Sequence, residues 1–527
     1  MLIGSNLVCV AALVYAIAVQ PALRNFLLFY SDNITLPMYF NSILAHNGAI
    51  SGFHYGTQGF FFPGYPLYLL SYLIAFLVPG DQYAASLIVK AILQVVCFNF
   101  ALYYLGRALF REGHRAALYS GVCTLFLTLI LVLGQHLALE GWPPTVLFLT
   151  STHHIGVAIG IPLFLAGAIN YFHSRKMGNL YFIGALSAVI IPSTTTWIPW
   201  FIVPFVVALF LLFLLNMIDK KYFVRVTLCI ALSAGVGYIL NFVARQFFAV
   251  TNPSALEISR IPEGLSNLRL IIENVYLQSW PLIVALLLMA ALCCVGIFYL
   301  CKTIYKVSRL KDGDTDRATY FPLMLILLYS LLAGIFILLI PVFIGRADIL
   351  RYYSPLVVLS LFGILPFFYM RFRHKTGAYL TALTSLGIIL IASPIYLSQT
   401  LPFNNPAILR QSDYVYQVAQ KDLPGDFIGD FWTITSVGLY TDARVTHVNA
   451  NGRMRPILQN IYDLDGASFQ NLILLELDSN LIQILDRLPE YSSKFTFEAY
   501  TSSNVKVAMV IYHWEEPIDD YLRWFTR

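Results

Sequence analysis

The chain is dominated by apolar stretches of about 17–25 residues, the length at which a helix crosses the hydrocarbon core of a bilayer. They stand near 3–29, 83–106, 115–135, 154–172, 197–218, 225–247, 281–301, 319–344, 355–370 and 377–396, with a shorter one at 179–192. Together they predict a polytopic α-helical membrane protein of about eleven spans. Of the 527 residues, 58% are hydrophobic and 12% charged, where a soluble domain carries about 25% charged residues. A soluble fold of this size has too little interior to hide so much apolar surface, so lipid is the expected solvent. No run of Lys and Arg of the kind that grips nucleic acid occurs. The net charge of +5 says little here, because in a membrane protein the position of the cations matters more than their sum.

The cations cluster in "RALFREGHR" (107–115), "HSRKM" (173–177), "DKKYFVR" (219–225), "CKTIYKVSRLKDGDTDR" (301–317) and "RFRHK" (371–375), while 31–82 holds no Lys or Arg. The positive-inside rule places all five clusters in the cytoplasm. One further apolar stretch, "PGYPLYLLSYLIAFLVPG" (63–80), is short and bracketed by Pro63, Pro66 and Pro79. If it stays on one side as an interfacial or re-entrant helix, which its length and prolines favour, the N-terminus is cytoplasmic and the C-terminal region extracytoplasmic. If it crosses, the N-terminus lies outside and Asp32 faces the cytoplasm. The basic clusters do not separate the two.

The N-terminus, "MLIGSNLVCVAALVYAIAVQPALRNF", has no basic opening and no clear cleavage site, and reads as a retained first helix. The seven cysteines all lie in or beside apolar segments, which predicts no disulfide framework in the polar C-terminal part. From about residue 400 charges rise and β-type runs appear: "DFIGDFW", "ARVTHVN", "NLILLELD" and "NVKVAMVIYHW", with a helical "SNLIQILDRL" among them. This predicts a transmembrane module over 1–399 and a small extracytoplasmic mixed α/β domain over 400–527.

Two acids stand where spans leave the membrane on the outer side. Asp32 follows the first apolar run in "FLLFYSDNITLPMYF", and Glu140 follows the third in "GQHLALEGWPP". A carboxylate there can take a proton from a hydroxyl nucleophile or hold a divalent ion, magnesium or manganese; alternatively each is a solvated residue at a helix exit. On the same side "GRADILRYYSP" supplies Arg346, Arg351, Tyr352 and Tyr353, and "SRIPEGLSNLRL" supplies Arg260 and Arg269. Arginine forks bind phosphate bidentately, although pairing with Asp348, Glu257 or Glu263 explains them equally well. Lys90, about two turns into the second span, either snorkels outward or meets an anion. His153 and His154 open the fourth span; neighbours on a helix diverge, so only one of them faces any given site. "PSTTTW" (192–197) reads as capping hydroxyls, and "FHYGTQGFFFPGYP" (53–66), with His54 and Tyr55, as an aromatic interfacial or sugar-stacking loop. Asn33-Ile34-Thr35 is a glycosylation sequon.

In layout the chain resembles the GT-C superfamily of membrane glycosyltransferases. A first span ends in an acid ("FYSDN"). A proline-aromatic stretch follows ("FFPGYPLYLLSYLIAF"), then a span carrying a cation ("SLIVKAILQVV") that ends in a basic turn ("YYLGRALFREGHRAAL"), then a second outer acid ("ALEGW"). The resemblance covers about the first 180 residues in pattern and the whole chain in architecture. It departs from the family in lacking an acidic pair or a following Arg at the end of the first span, and in a proline pair reduced to "PGYP". The resemblance implies an inverting transferase that moves a sugar from a polyprenyl-phosphate-linked donor to a lipid, glycan or protein acceptor on the outer face of the membrane. It implies Asp32 as catalytic base and Glu140 as second acid, with Lys90, Arg346, Arg351 and His153 toward the donor phosphate. His54, Tyr55 and Tyr353 are expected to contact substrate. A bacterial inner membrane fits best, and an endoplasmic-reticulum membrane is the alternative. The rivals are a transporter or flippase for a lipid-linked glycan, and a non-catalytic envelope assembly protein. Internal repeats and midplane acids, the marks of many transporters, are not apparent.

Overall fold

The computed structural model describes residues 2–19, 61–134, 154–247, 258–278, 315–343, 421–429, 469–475, 490–500 and 506–518, with shorter pieces and single residues between them. Described helices lie over most of the expected spans. They are α1 (Leu2–Val19), α2 (Gly64–Ala75), α3 (Gln82–Phe110), α4 (Gly113–Gly134), α5 (His154–Ser174), α6 (Met177–Ser193), α7 (Val203–Leu214, entered through a π turn at Ile198–Ile202), α8 (Lys220–Phe247), α9 (Ile261–Gln278) and α10 (Thr315–Phe343). The segments expected at 281–301, 355–370 and 377–396 fall outside the described residues but for isolated positions. By length and composition four described helices can cross a membrane: Gln82–Phe110, Ile155–Ser174, Lys220–Ala244 and Tyr320–Phe343. Several present large apolar side chains outward, among them Leu228, Leu232 and Leu338. A chain so built is an integral membrane protein.

The stretch 63–80 forms a hairpin with the next span. Its helix, α2, has 12 residues, or about 18 Å at 1.5 Å per residue, well short of the roughly 30 Å hydrocarbon core. Leu67, Tyr68, Ser71 and Ala75 face the protein while Leu69, Leu70 and Leu73 face outward. The chain turns at Gly80, whose φ of 121° suits only glycine. Asp81 then caps α3, its Oδ1 accepting from the amides of Tyr83 at 2.8 Å and Ala84 at 3.2 Å.

The described basic turns, 107–115, 173–177 and 219–225, gather at one end of the bundle. Between α5 and α6, Arg175 (φ 53°) turns back to Asp219, which precedes α8, at 2.6 Å. Its guanidinium also lies over the rings of Phe172 and Tyr222. Asp219 in turn accepts from the Tyr222 amide and caps α8. Phe172 stacks on Phe321 with centroids 3.9 Å apart, which brings the start of α10 to the same end. At the opposite end the Phe62 amide donates to Ser193 Oγ at 2.6 Å. Phe62 and Pro63 lie so close to Gly156 that a Cβ there would sit 2.9 Å from the Phe62 carbonyl oxygen. The "FFPGYP" and "PSTTTW" segments, 131 residues apart, therefore meet at one corner.

Among the described residues there are two sheets. In the smaller, β1 (His54–Tyr55) pairs in parallel with β2 (Ala249–Val250), tying the loop before α2 to the chain after α8. The larger contains β3 (Asp426–Gly429), β4 (Val445–His447), β5 (Phe469–Leu475), β6 (Ser493–Tyr500) and β7 (Lys506–His513), in the order β4-β3-β5-β7-β6. The β4–β3–β5 half is parallel and the β5–β7–β6 half antiparallel. Phe427, Ile473, Phe497, Met509 and Ile511 form its core with Val415, Val418 and Val437, and Leu28 from the segment before Asp32 packs against that core. Strands β3, β4, β5 and β7 fall on the four β-type runs. β6, "SKFTFEAY", does not: the exposed Lys494 and Thr496 hide an alternation in which Phe497 is buried. The helical stretch expected at 479–488 lies outside the described residues.

Candidate functional site

Helix α3 buries one face along its length, and three polar residues sit on it one turn apart: Ser86, Lys90 and Gln94. Lys90 is 1% exposed. The expectation that it snorkels outward is corrected here, since its side chain stays inside the protein. An ammonium group removed from water must be compensated by neighbouring dipoles or an anion.

Above Lys90, toward the start of α3, Tyr68 of α2 reaches across the hairpin. Its Oη lies 3.4 Å from Ser86 Oγ, and Ser86 also donates to the Tyr83 carbonyl at 2.8 Å. The Tyr68 ring is wholly buried in one cluster with Ile34, Leu36 and Leu87. Phe40 meets it edge-on at 5.4 Å. Around it Tyr39 packs on Tyr65 at 5.0 Å and Phe61 stacks on Tyr65 at 6.0 Å. The aromatic-rich stretch of the sequence is thus a packed wall rather than an open loop where it is described.

Asp32 itself lies outside the described residues. Its neighbours do not: Asn33 is buried and donates to the Leu27 carbonyl at 3.1 Å, and Ile34 enters the cluster with Tyr68 and Leu87. The segment following Asp32 and the helix carrying Lys90 are therefore packed together. Leu28 touches both this cluster and the core of the large sheet, so the sheet is joined to the bundle at the same place. The Asn33 amide is occupied in this packing, so the sequon presents no free acceptor there.

Among the remaining expected residues, His54 and Tyr55 are described by backbone alone, in the ladder with Ala249 and Val250. Glu140, His153, Arg346, Arg351 and Tyr353 lie outside the described residues, as do the side chain of His154 and the loop around Glu140. Among the described residues no three His, Cys, Asp or Glu side chains converge on a point that could hold a metal. The acids expected to hold a divalent cation, Asp32 and Glu140, are not among those residues. Sequence reading overlooked Tyr68, Ser86 and Gln94. The signal available for the last two was their spacing of four residues on either side of Lys90 within an apolar span.

No protein-family pattern matches this chain, and no curated protein matches it by sequence. Among solved structures it is similar to ArnT from Cupriavidus metallidurans, determined bound to undecaprenyl phosphate and in the apo state. Each is 13% identical, over 94% of this chain and 97% of that chain, with TM-scores of 0.47 and 0.49 respectively.

Proposed function

We propose that this chain is a membrane glycosyltransferase of the GT-C type, which moves a sugar from a polyprenyl-phosphate-linked donor to a lipid, glycan or protein acceptor. In this reading residues 1–399 are the membrane module, and 400–527 form an extracytoplasmic domain that covers the site or selects the acceptor. The observation that carries the proposal is the placement of Lys90: a lysine enclosed by protein, one turn from Leu87, in the corner where the segment after Asp32 is packed.

The chemistry follows from the groups assigned. The acceptor hydroxyl oxygen attacks the anomeric carbon from the face opposite the phosphate. The carbon–oxygen bond to phosphate breaks, and its electron pair leaves with the polyprenyl phosphate. Asp32 accepts the hydroxyl proton as general base, and Glu140 orients the acceptor. Lys90, with Arg346, Arg351 and His153, balances the charge gathering on the leaving phosphate. His54, Tyr55 and Tyr353 contact the sugar or lipid. A single displacement inverts the anomeric centre. A magnesium or manganese ion on Asp32 and Glu140 would add positive charge beside the phosphate.

The test compares lipid-linked sugars and surface glycans by mass spectrometry in cells with the wild-type chain, a deletion, or Asp32→Asn at matched membrane levels. The expected result is that deletion and Asp32→Asn lose the same glycan unit while the lipid-linked donor accumulates. Glycans altered by the deletion but untouched by Asp32→Asn would remove Asp32 from the chemistry and favour a flippase or a scaffold.

A further inference from the structure

We propose that the groove between α6 and α8, at the basic end of the bundle, binds the phosphate headgroup of an anionic phospholipid through Lys176 and Arg225, with Lys221 one turn beyond. The two helices run side by side in the same direction with a regular register. Cys229 Sγ donates to the Leu180 carbonyl at 3.3 Å. One turn further on, a Cβ on Gly184 would meet Ser233 Oγ at 2.8 Å and Cys229 Sγ at 3.0 Å. A turn beyond that, a Cβ on Gly237 would lie 3.1 Å from the Ala188 carbonyl oxygen. Small residues bring the backbones together, and the same pairing carried one turn toward the basic end sets Lys176 level with Arg225.

Both cations are exposed, and neither has a carboxylate partner among the described residues. The one acid in the two turns that open these helices is Asp219, and it is already held by Arg175 and by the cap of α8. Arg175 is withdrawn from the groove by that pair and by the rings of Phe172 and Tyr222. The charge left for an external ligand is therefore positive.

The surroundings identify the ligand as a lipid. Lys221, Arg225, Leu228 and Leu232 follow one another along one stripe of α8, and Leu228 and Leu232 are 55% and 63% exposed. The cations thus sit at the top of a face that meets acyl chains. On α6, Met177 and Tyr181 are exposed beside them, Tyr181 at the level where aromatic side chains favour the headgroup region. A phosphodiester at that level meets both cations while its chains lie along Leu228 and Leu232. The occupant is an anionic phospholipid of the leaflet facing the basic end.

The full chain, purified in mild detergent, is titrated with dioleoyl phosphatidylglycerol or dioleoyl phosphatidylcholine and examined by native mass spectrometry. The expected result is retention of phosphatidylglycerol over phosphatidylcholine. Affinity for phosphatidylglycerol should fall about fivefold for each cation removed in Lys176→Gln/Arg225→Gln. Arg107→Gln, at the same end but on α3, should leave retention unchanged. The charge-conserving swap Lys176→Arg/Arg225→Lys should still retain phosphatidylglycerol, even if the neutral pair proves too unstable to purify. Equal retention of both lipids, wild-type affinity in the neutral pair, equal loss in Arg107→Gln, or loss in the charge-conserving swap would each overturn the site.

Discussion

Helices α3 and α8 read as near twins and behave as opposites. They have 29 and 28 residues and are equally apolar over their best spanning stretches. In α3, 56% of that stretch is buried in the protein; in α8, 17% is. α3 carries a lysine about two turns inside its start and keeps it enclosed. α8 keeps its cations out of its middle: Lys220, Lys221 and Arg225 stand exposed in its first two turns, and Arg245 stands in its last turn. A helix wrapped by protein can retain a charge at depth, because neighbouring side chains or a bound anion replace water. A helix wrapped by lipid has only the headgroup region in which to place one. This contrast makes Lys90 a residue whose position needs a reason, while Lys221 and Arg225 follow the ordinary rule for a membrane boundary.

The largest effect should come from breaking the protected side of the contrast. Lys90→Met keeps an unbranched side chain one atom shorter and removes its charge. Sugar transfer from a polyprenyl-phosphate donor in a purified system should fall about a hundredfold, in line with the loss of a single charge-stabilising group at a reacting centre. Thermal stability should hold or rise, since a buried charge is replaced by an apolar group. Unchanged transfer would mean that the lysine is merely tolerated.

Transplanting the charge sharpens the other side. Leu232→Lys places an ammonium on the lipid face of α8, where translocon-based scales put the cost at about 2.5–3.5 kcal/mol. Membrane-inserted protein and its melting temperature should both drop. If the variant inserts and melts like wild type, α8 is not lined by lipid along that stripe.

The smallest effect concerns the hydroxyl above Lys90. Tyr68→Phe keeps the ring in its cluster and removes the oxygen 3.4 Å from Ser86. One neutral hydrogen bond contributes about 1 kcal/mol. An increase of about threefold in KM for the donor, with kcat nearly unchanged, is expected if the hydroxyl helps shape the pocket around Lys90. A fall in melting temperature with unchanged KM would assign it to packing alone.

Much of the architecture was legible because its causes are local. Apolar length marked the segments that became α3, α5, α8 and α10, and the prolines around 63–80 marked an element too short to span. The alternation in "NVKVAMVIYHW" marked β7. β6 was missed because Lys494, Thr496 and Glu498 dominate its composition, and only its partner strand shows that Phe495 and Phe497 form the inward set. The site was legible as a list of candidates and not as a place. Asp32 and Lys90 stood out by their chemistry, but nothing local joins "SDNIT" to "SLIVK". That junction is made by Tyr68, which contacts both, and by Leu28, which adds the sheet.

The sequence by itself determined that this chain lives in a membrane, where its helices can cross, and which end of the bundle gathers the cations. Each of these depends on the transfer free energy of single side chains or short runs, which a residue carries wherever it goes. It did not determine which apolar face meets protein and which meets lipid. Acyl chains and a packed core accept a leucine on almost equal terms, so hydropathy cannot tell α3 from α8. That difference, and with it the enclosure of Lys90 beside the segment after Asp32, was decided by close packing between elements distant in the chain.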